Sequence, residues 1–197
     1  REMDMTPYTS LSQPSINQHG RLALLASAPT ISPRVISIKD ENRTIHQRSR
    51  NEAIPHQDLP TPYEIQGTSS DGETVYGIYS PPTSSRVQGE GLPPAIIQIH
   101  GGPTSSVSIG YDLEAAFFTS RGYGFLHVNY RGSTGYGRGY REALRGNWGN
   151  LDVIDAAGGA GALVDQGLAD RSRLVIKGGS AGGYTVLNAL IRFPGLC

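Results

Sequence analysis

A single cysteine, Cys197, stands in 197 residues. An internal disulfide needs two and a cysteine-based metal cluster more, so neither holds this chain together. The scarcity is compatible with a reducing compartment and favours a cytoplasmic setting without establishing one. Long apolar runs are missing as well: none approaches the ~20 residues of a membrane-spanning helix. Nor is there excess charge. With 17 basic residues against 17 acidic ones, nothing points to nucleic acid or a membrane surface as a partner. No metal site and no cofactor is implied. The chain opens on Arg1-Glu2 in place of Met. It is expected to be an internal piece of a longer protein, so a missing targeting segment excludes nothing.

Glycine and proline, by contrast, are plentiful, at 26 and 13, which suits short strands joined by tight turns. Residues 1–50 read as all-β. Arg21–Ala26, Val35–Ile38 and Arg43–His46 are short strands, Pro29 and Pro33 punctuate, and Lys39-Asp40-Glu41-Asn42 is a turn. Such a meander cannot bury its own faces. It is expected to be one blade, a remnant of a β-propeller, and the competing reading is an irregular arm. Residues 51–62, with Pro55, Pro60 and Pro62, form the linker. His19, His46 and His56 fall in these polar stretches and are expected to be solvated.

From residue 63 the pattern becomes α/β. Tyr63–Gly67 and Thr74–Tyr79 alternate about Ser70-Asp71-Gly72, a hairpin expected at a sheet edge. A Pro/Ser/Gly-rich loop over 80–94 precedes Ala95–Ile99, an apolar run of the kind buried on both faces. Asp112–Arg121 reads as a helix with Leu113, Ala116 and Phe117 on its inner face, ended by Gly122. Tyr123–Val128 is the next buried strand. Asp152–Gln166 is a second helix closed by Gly167, and Leu174–Ile176 a third strand. Strands alternating with helices give a parallel sheet. Residues 63–197 are therefore expected to form one α/β domain.

The third strand runs into Lys177-Gly178-Gly179-Ser180-Ala181-Gly182-Gly183-Tyr184 and then an apolar helix. Gly178-x-Ser180-x-Gly182 fits a nucleophile elbow, a strand-to-helix turn tight enough to exclude side chains at both glycines. The central residue is forced into a strained backbone conformation. Ser180 would then present its hydroxyl at a helix N-terminus, where free N–H groups favour negative charge. A serine nucleophile also needs donors for the developing oxyanion, a base and an orienting carboxylate. His100-Gly101-Gly102-Pro103 follows a strand and matches the loop that supplies one donor in this architecture. The candidate donors are the N–H groups of Gly102 and Ala181, and the alternative for this loop is an ordinary tight turn. His100 is expected to make a structural hydrogen bond, and His127 to be a satisfied core histidine. Asp152 and Asp155, at the start of a helix, are expected to cap it. Trp148 is undecided between site and core. With this elbow the acid and then the histidine follow the serine along the chain. Residues 181–197 contain no Asp, Glu or His, so both partners are expected to lie beyond Cys197, and the domain to be incomplete at its C-terminus.

Four motifs in order carry a family resemblance: His100-Gly101-Gly102-Pro103, Asn129-Tyr130-Arg131-Gly132-Ser133-Thr134-Gly135-Tyr136-Gly137, Gly146-x-Trp148-Gly149-x-x-Asp152-Val153-x-Asp155 and Gly178–Tyr184. Together the chain resembles the prolyl oligopeptidase family of serine peptidases, in particular its acylaminoacyl-peptidase and dipeptidyl-peptidase-like branch. The resemblance implies a β-propeller before an α/β-hydrolase domain, and hydrolysis of short peptides or acyl-aminoacyl peptides. Carried over residue by residue, Ser180 resembles the nucleophile and Gly102 and Ala181 the oxyanion donors, while Arg131 and Tyr184 resemble substrate-binding residues. The partner implied is a peptide, with oligomeric state open and a homo-oligomer included. Two competing readings are an esterase or lipase on the same fold, and a truncated chain without activity.

Overall fold

The computed structural model describes residues 3–51, 54–84 and 89–197. Two sheets account for the strands. In the first, β1 (Ser10–Ile16), β2 (Leu22–Ala28), β3 (Ile31–Lys39) and β4 (Asn42–Arg48) pair antiparallel in chain order. Leu24, Ala26, Ile36 and Ile38 are buried together on one face. The β3–β4 turn falls where it was expected, with Asp40 and Glu41 both at positive φ (49° and 70°), the geometry of a two-residue hairpin.

Two details of this sheet differ from the sequence reading. β1 is an additional strand, and Pro14 within it hid it. The strand tolerates the proline because it lies at an edge and its register slips between Ser12 and Ser15, leaving no ladder bond for the missing N–H. Pro33 does not end a strand but lies inside β3, where the β2–β3 register also shifts. His46 is exposed on β4 and hydrogen-bonds Ser37 Oγ at 2.8 Å, so it is not merely solvated. His19 is exposed. The expectation for the His56 side chain, and part of the 80–94 loop, lie outside the described residues.

The second sheet has the order β5-β6-β8-β7-β9, comprising Tyr63–Thr68, Thr74–Ser80, Gly124–Asn129, Ala95–Ile99 and Leu174–Gly178. β5 and β6 form the antiparallel hairpin at one edge, while β8, β7 and β9 run parallel. Side chains alternate across the central strands. Ile97, Ile99, Leu126 and Val128 point to one face, each essentially inaccessible, and each such burial is worth ~1.5–3 kcal/mol. The helix α3 (Leu151–Asp165) covers that face, with α4 (Ala181–Arg192) beside it over β9. Ile96 and Phe125 point the other way, toward α1 (Leu113–Thr119).

Asp112 caps α1, accepting from the N–H groups of Glu114 and Ala115. The inner face of α1 is Ala115, Ala116 and Thr119. Phe117, expected inside, is half exposed beneath the Arg121 guanidinium, 3.7 Å from the ring centroid. A short helix α2 (Gly137–Ala143) follows the glycine-rich loop and was not foreseen, because glycines at both of its first odd positions mask the helical pattern.

α3 packs tightly because it is built of alanine and glycine. A methyl group at Gly159 would lie 2.8 Å from Val128 Cγ2, whereas one at Gly161 would meet nothing within 4 Å. Alanine should therefore act oppositely at the two sites. Gly161→Ala is expected to stabilise by ~0.5–1 kcal/mol through helix propensity. Gly159→Ala is expected to destabilise by about 1–2 kcal/mol, overpacking outweighing propensity. Denaturant midpoints at unchanged slope read both, and equal stabilisation by the two substitutions would contradict this packing.

Candidate active site

β9 ends at Gly178 and α4 begins at Ala181, so two residues make the turn. Ser180 occupies φ 55°, ψ −125°, a conformation that L-residues rarely adopt. Its side chain is exposed and is not used to cap the helix. The glycines around it are enforced by close contact. A methyl group at Gly178 would lie 2.5 Å from Gly182 O, and one at Gly182 would lie 2.2 Å from Ile99 O and 2.8 Å from His100 O. The first turn of α4 thus sits against the end of β7 with no room for a Cβ. Ala181 opens the helix, so its N–H belongs to the turn that has no intrahelical acceptor.

The same approach brings the loop after β7 to the serine. A methyl group at Gly101 would fall 3.1 Å from Gly179 O, 3.3 Å from Ser180 Cβ and 3.9 Å from Ser180 Oγ. Gly102 follows at φ 131°. Ser180, Ala181 and the Gly101-Gly102 segment are therefore neighbours. Among the described residues, no histidine hydrogen-bonds Ser180 Oγ.

His100 is buried and doubly bonded, as a structural histidine should be. Nδ1 lies 2.8 Å from Gly101 O and Nε2 lies 2.8 Å from Ser133 Oγ. The Tyr130 ring stacks on it at 4.5 Å. Burial pushes its pKa below the ordinary value, with the Gly101 carbonyl opposing. His127 is only half satisfied. Nε2 reaches Asp112 Oδ2 at 2.7 Å, while Nδ1 is buried without a hydrogen-bond partner among the described residues.

Arg131 is placed where it touches protein rather than open site. The side chain is buried, and its Nε and Nη2 grip Asp155 at 2.7–3.1 Å. Nη1 and Nη2 reach Asp71 at 2.7 and 3.1 Å. Burial alone would lower the Arg131 pKa, but hydrogen bonds to Asp155 and Asp71 outweigh it and hold the pKa above its ordinary value. The Arg131 hydrogen bonds likewise hold the Asp71 carboxyl below the usual carboxylate range. The expectation of a substrate-facing arginine thus meets a guanidinium already occupied by two carboxylates.

Asp155 and Asp152 are structural, though not as helix caps. Asp155 also accepts the Arg131 N–H at 2.7 Å. Asp152 accepts Gly149 N–H and the Thr185 hydroxyl at 2.7 and 2.6 Å, tying α3 to α4. Tyr184 is half exposed one turn beyond Ser180, its hydroxyl lying 2.8 Å from where a Gly149 Cβ would be. Trp148 is exposed rather than core.

The sequence reading missed the partners of His100. Ser133 and Tyr130 lie in the glycine-rich motif, whose dense run of hydrogen-bonding side chains was the available signal. Asp71, in the hairpin turn 60 residues before Arg131, gave none.

Comparison with known proteins bears out the family resemblance. Residues 109–196 match the prolyl oligopeptidase family. The dipeptidyl aminopeptidase BIII of Pseudoxanthomonas mexicana is 36% identical over 139 residues, covering 67% of this chain and 20% of that protein. Acylamino-acid-releasing enzyme 1 of Oryza sativa subsp. japonica is 38% identical over 102 residues, 52% of this chain and 13% of the other. A solved puromycin-hydrolyzing peptidase of Mycobacterium tuberculosis superposes with a TM-score of 0.90 at 39% identity, over 98% of this chain and 30% of that one. The chain thus spans between an eighth and a third of the length of the proteins it resembles.

The Arg131 cluster makes a specific demand on stability. Lysine keeps the charge but cannot reproduce a planar fork that serves two carboxylates at once. Arg131→Lys should lower unfolding free energy by about 1–3 kcal/mol, since the 0%-exposed Asp155 carboxylate loses its paired donors. Unchanged stability in a denaturant titration would show that the cluster holds nothing.

Proposed function

From the premise that residues 109–196 match the prolyl oligopeptidase family, we propose that this chain carries the nucleophile and oxyanion donors of a serine peptidase. The whole protein would hydrolyse short peptides or acyl-aminoacyl peptides. The observation that carries the reading is the left-handed Ser180 backbone on a β9–α4 turn, with Gly101 packed beside it.

In this reading Ser180 Oγ attacks the scissile carbonyl carbon. The electron pair moves to the carbonyl oxygen, which receives the N–H groups of Gly102 and Ala181. One such donor is worth ~2.7–4 kcal/mol in the transition state. Collapse of the tetrahedral intermediate expels the amine, which takes up the proton lost by Ser180, and water then releases the acyl group. In this reading the proton carrier is none of the four histidines whose side chains are described. His100 and His127 are bound to other partners, His46 lies on β4 of the N-terminal sheet, and His19 lies in the β1–β2 turn of that sheet. That sheet is assigned as one blade of a propeller, residues 51–62 as linker, and residues 63–197 as part of an α/β-hydrolase domain. Tyr184 is assigned to the border of the substrate site. Arg131 is assigned to holding the loop it belongs to.

The reading is tested on the full-length protein with chromogenic aminoacyl and acyl-aminoacyl anilides. Wild type should release chromophore, and Ser180→Ala should lower kcat by at least about 10³-fold. Undiminished turnover by Ser180→Ala would remove the assignment. Ester turnover without amide turnover would make the protein an esterase or lipase on the same machinery. The 197-residue chain by itself is expected to show neither.

A further inference from the structure

We propose that His100 is a positioning residue that aims the Gly102 N–H by holding the carbonyl of the same peptide unit, with Ser133 and Tyr130 keeping His100 in place. The inference rests on the proposed role of Ser180 and adds to it a group that touches neither substrate nor nucleophile.

Peptide planarity couples the two groups. The Gly101 carbonyl and the Gly102 N–H belong to one rigid unit, and in a trans peptide they point in opposite directions. Fixing one therefore fixes the other. This unit needs fixing, because a peptide between two glycines is the freest to rotate, and Gly102 already lies at φ 131°.

His100 Nδ1 is 2.8 Å from the Gly101 oxygen. A carbonyl only accepts, so Nδ1 carries the hydrogen. In the neutral ring Nε2 is then an acceptor, and the Ser133 hydroxyl meets it at 2.8 Å as donor. Tyr130 closes the arrangement from the third side. Its ring lies parallel to the imidazole, 17° from coplanar, and its hydroxyl donates to the His100 carbonyl at 3.0 Å. The depression of the His100 pKa by burial acts in the same sense, keeping the ring neutral and in one tautomer.

Ser133 and Tyr130 are themselves anchored. Arg131, between them, is pinned to Asp155 through both its side chain and its own N–H. Further along, the Thr134 N–H donates to Ser105 O at 2.8 Å. Asn129 takes both the N–H and the carbonyl of Val107 at 2.9 Å. The segment Asn129–Thr134 is therefore a frame around the loop that starts at His100, gripping it at His100, Ser105 and Val107.

The test combines kinetics with nuclear magnetic resonance on the full-length protein. Asparagine places an N–H near the position of Nδ1, whereas glutamine reaches that of Nε2 and alanine neither. His100→Ala and His100→Gln should lose about 10- to 100-fold in kcat with KM within about 3-fold, less than the 10²–10³-fold of deleting a donor outright. His100→Asn should recover most of kcat. Equal activity of all three with wild type would overturn the inference, as would a loss confined to KM. Selective 15N-histidine labelling reads the tautomer directly. A neutral His100 protonated at Nδ1 at pH 7 is expected, and a ring protonated at Nε2 alone would overturn the clamp. This readout stands apart from the nucleophile. Should Ser180→Ala retain turnover, the proposed function fails, while the tautomer still decides whether His100 holds the Gly101 carbonyl.

Discussion

The contact on which the rest depends is the approach of the α4 first turn to the end of β7. At Gly182 a single methyl group would collide with the Ile99 carbonyl oxygen at 2.2 Å. Two backbones meet there with nothing between them. Neither partner can yield, because Ile99 is fully buried in the central strand of the parallel sheet and Gly182 is locked in a helix that continues for another ten residues. That contact places the β9–α4 turn beside the β7 loop, and so places Ser180 beside Gly101. The strain at Ser180 is the local consequence. A residue held at positive φ costs on the order of 1–3 kcal/mol and persists only where its surroundings leave no alternative.

A second constraint is polar. The loop after β8 is joined to α3 and to the β5–β6 turn by one guanidinium and two carboxylates, the Asp155 carboxylate fully buried and the Asp71 carboxylate at the surface. Buried pairs of this kind add little net stability over a well-packed apolar core, but removing one member is costly. Their contribution is to geometry. The Arg131 fork fixes where Tyr130 and Ser133 stand, and through them where His100 stands. The two constraints converge on the same four residues, His100, Gly101, Gly102 and Ser180, one acting through glycine and the other through charge.

Much of this was legible in the sequence. The elbow announced itself because its glycines have a steric cause that leaves few other residue choices. The parallel strands were equally plain, since burial on both faces demands continuous apolar runs such as Ala95–Ile99. What stayed hidden had physical reasons. β1 carries a proline that only a bulged edge tolerates. Phe117 occupies a helical position that reads as inner, yet α1 turns Ala115, Ala116 and Thr119 inward, with Phe118 rather than Phe117 packed against Phe125. The side-chain partners of Arg131, and the Ser133 and Tyr130 that hold His100, lie 24 to 62 residues from them along the chain, and no local pattern records a hydrogen bond across such a separation.

The claim at the centre of the account is that Ser180 Oγ and the N–H groups of Gly102 and Ala181 converge on one reacting carbonyl. A crystal structure of the full-length protein with an aminoacyl boronic acid, which mimics the tetrahedral intermediate, tests it most directly. The account predicts a boron atom bonded to Ser180 Oγ, with one boronate oxygen within about 2.7–3.1 Å of both N–H groups. A boronate attached to another residue, or one whose oxygens face away from Gly102 and Ala181, would contradict it.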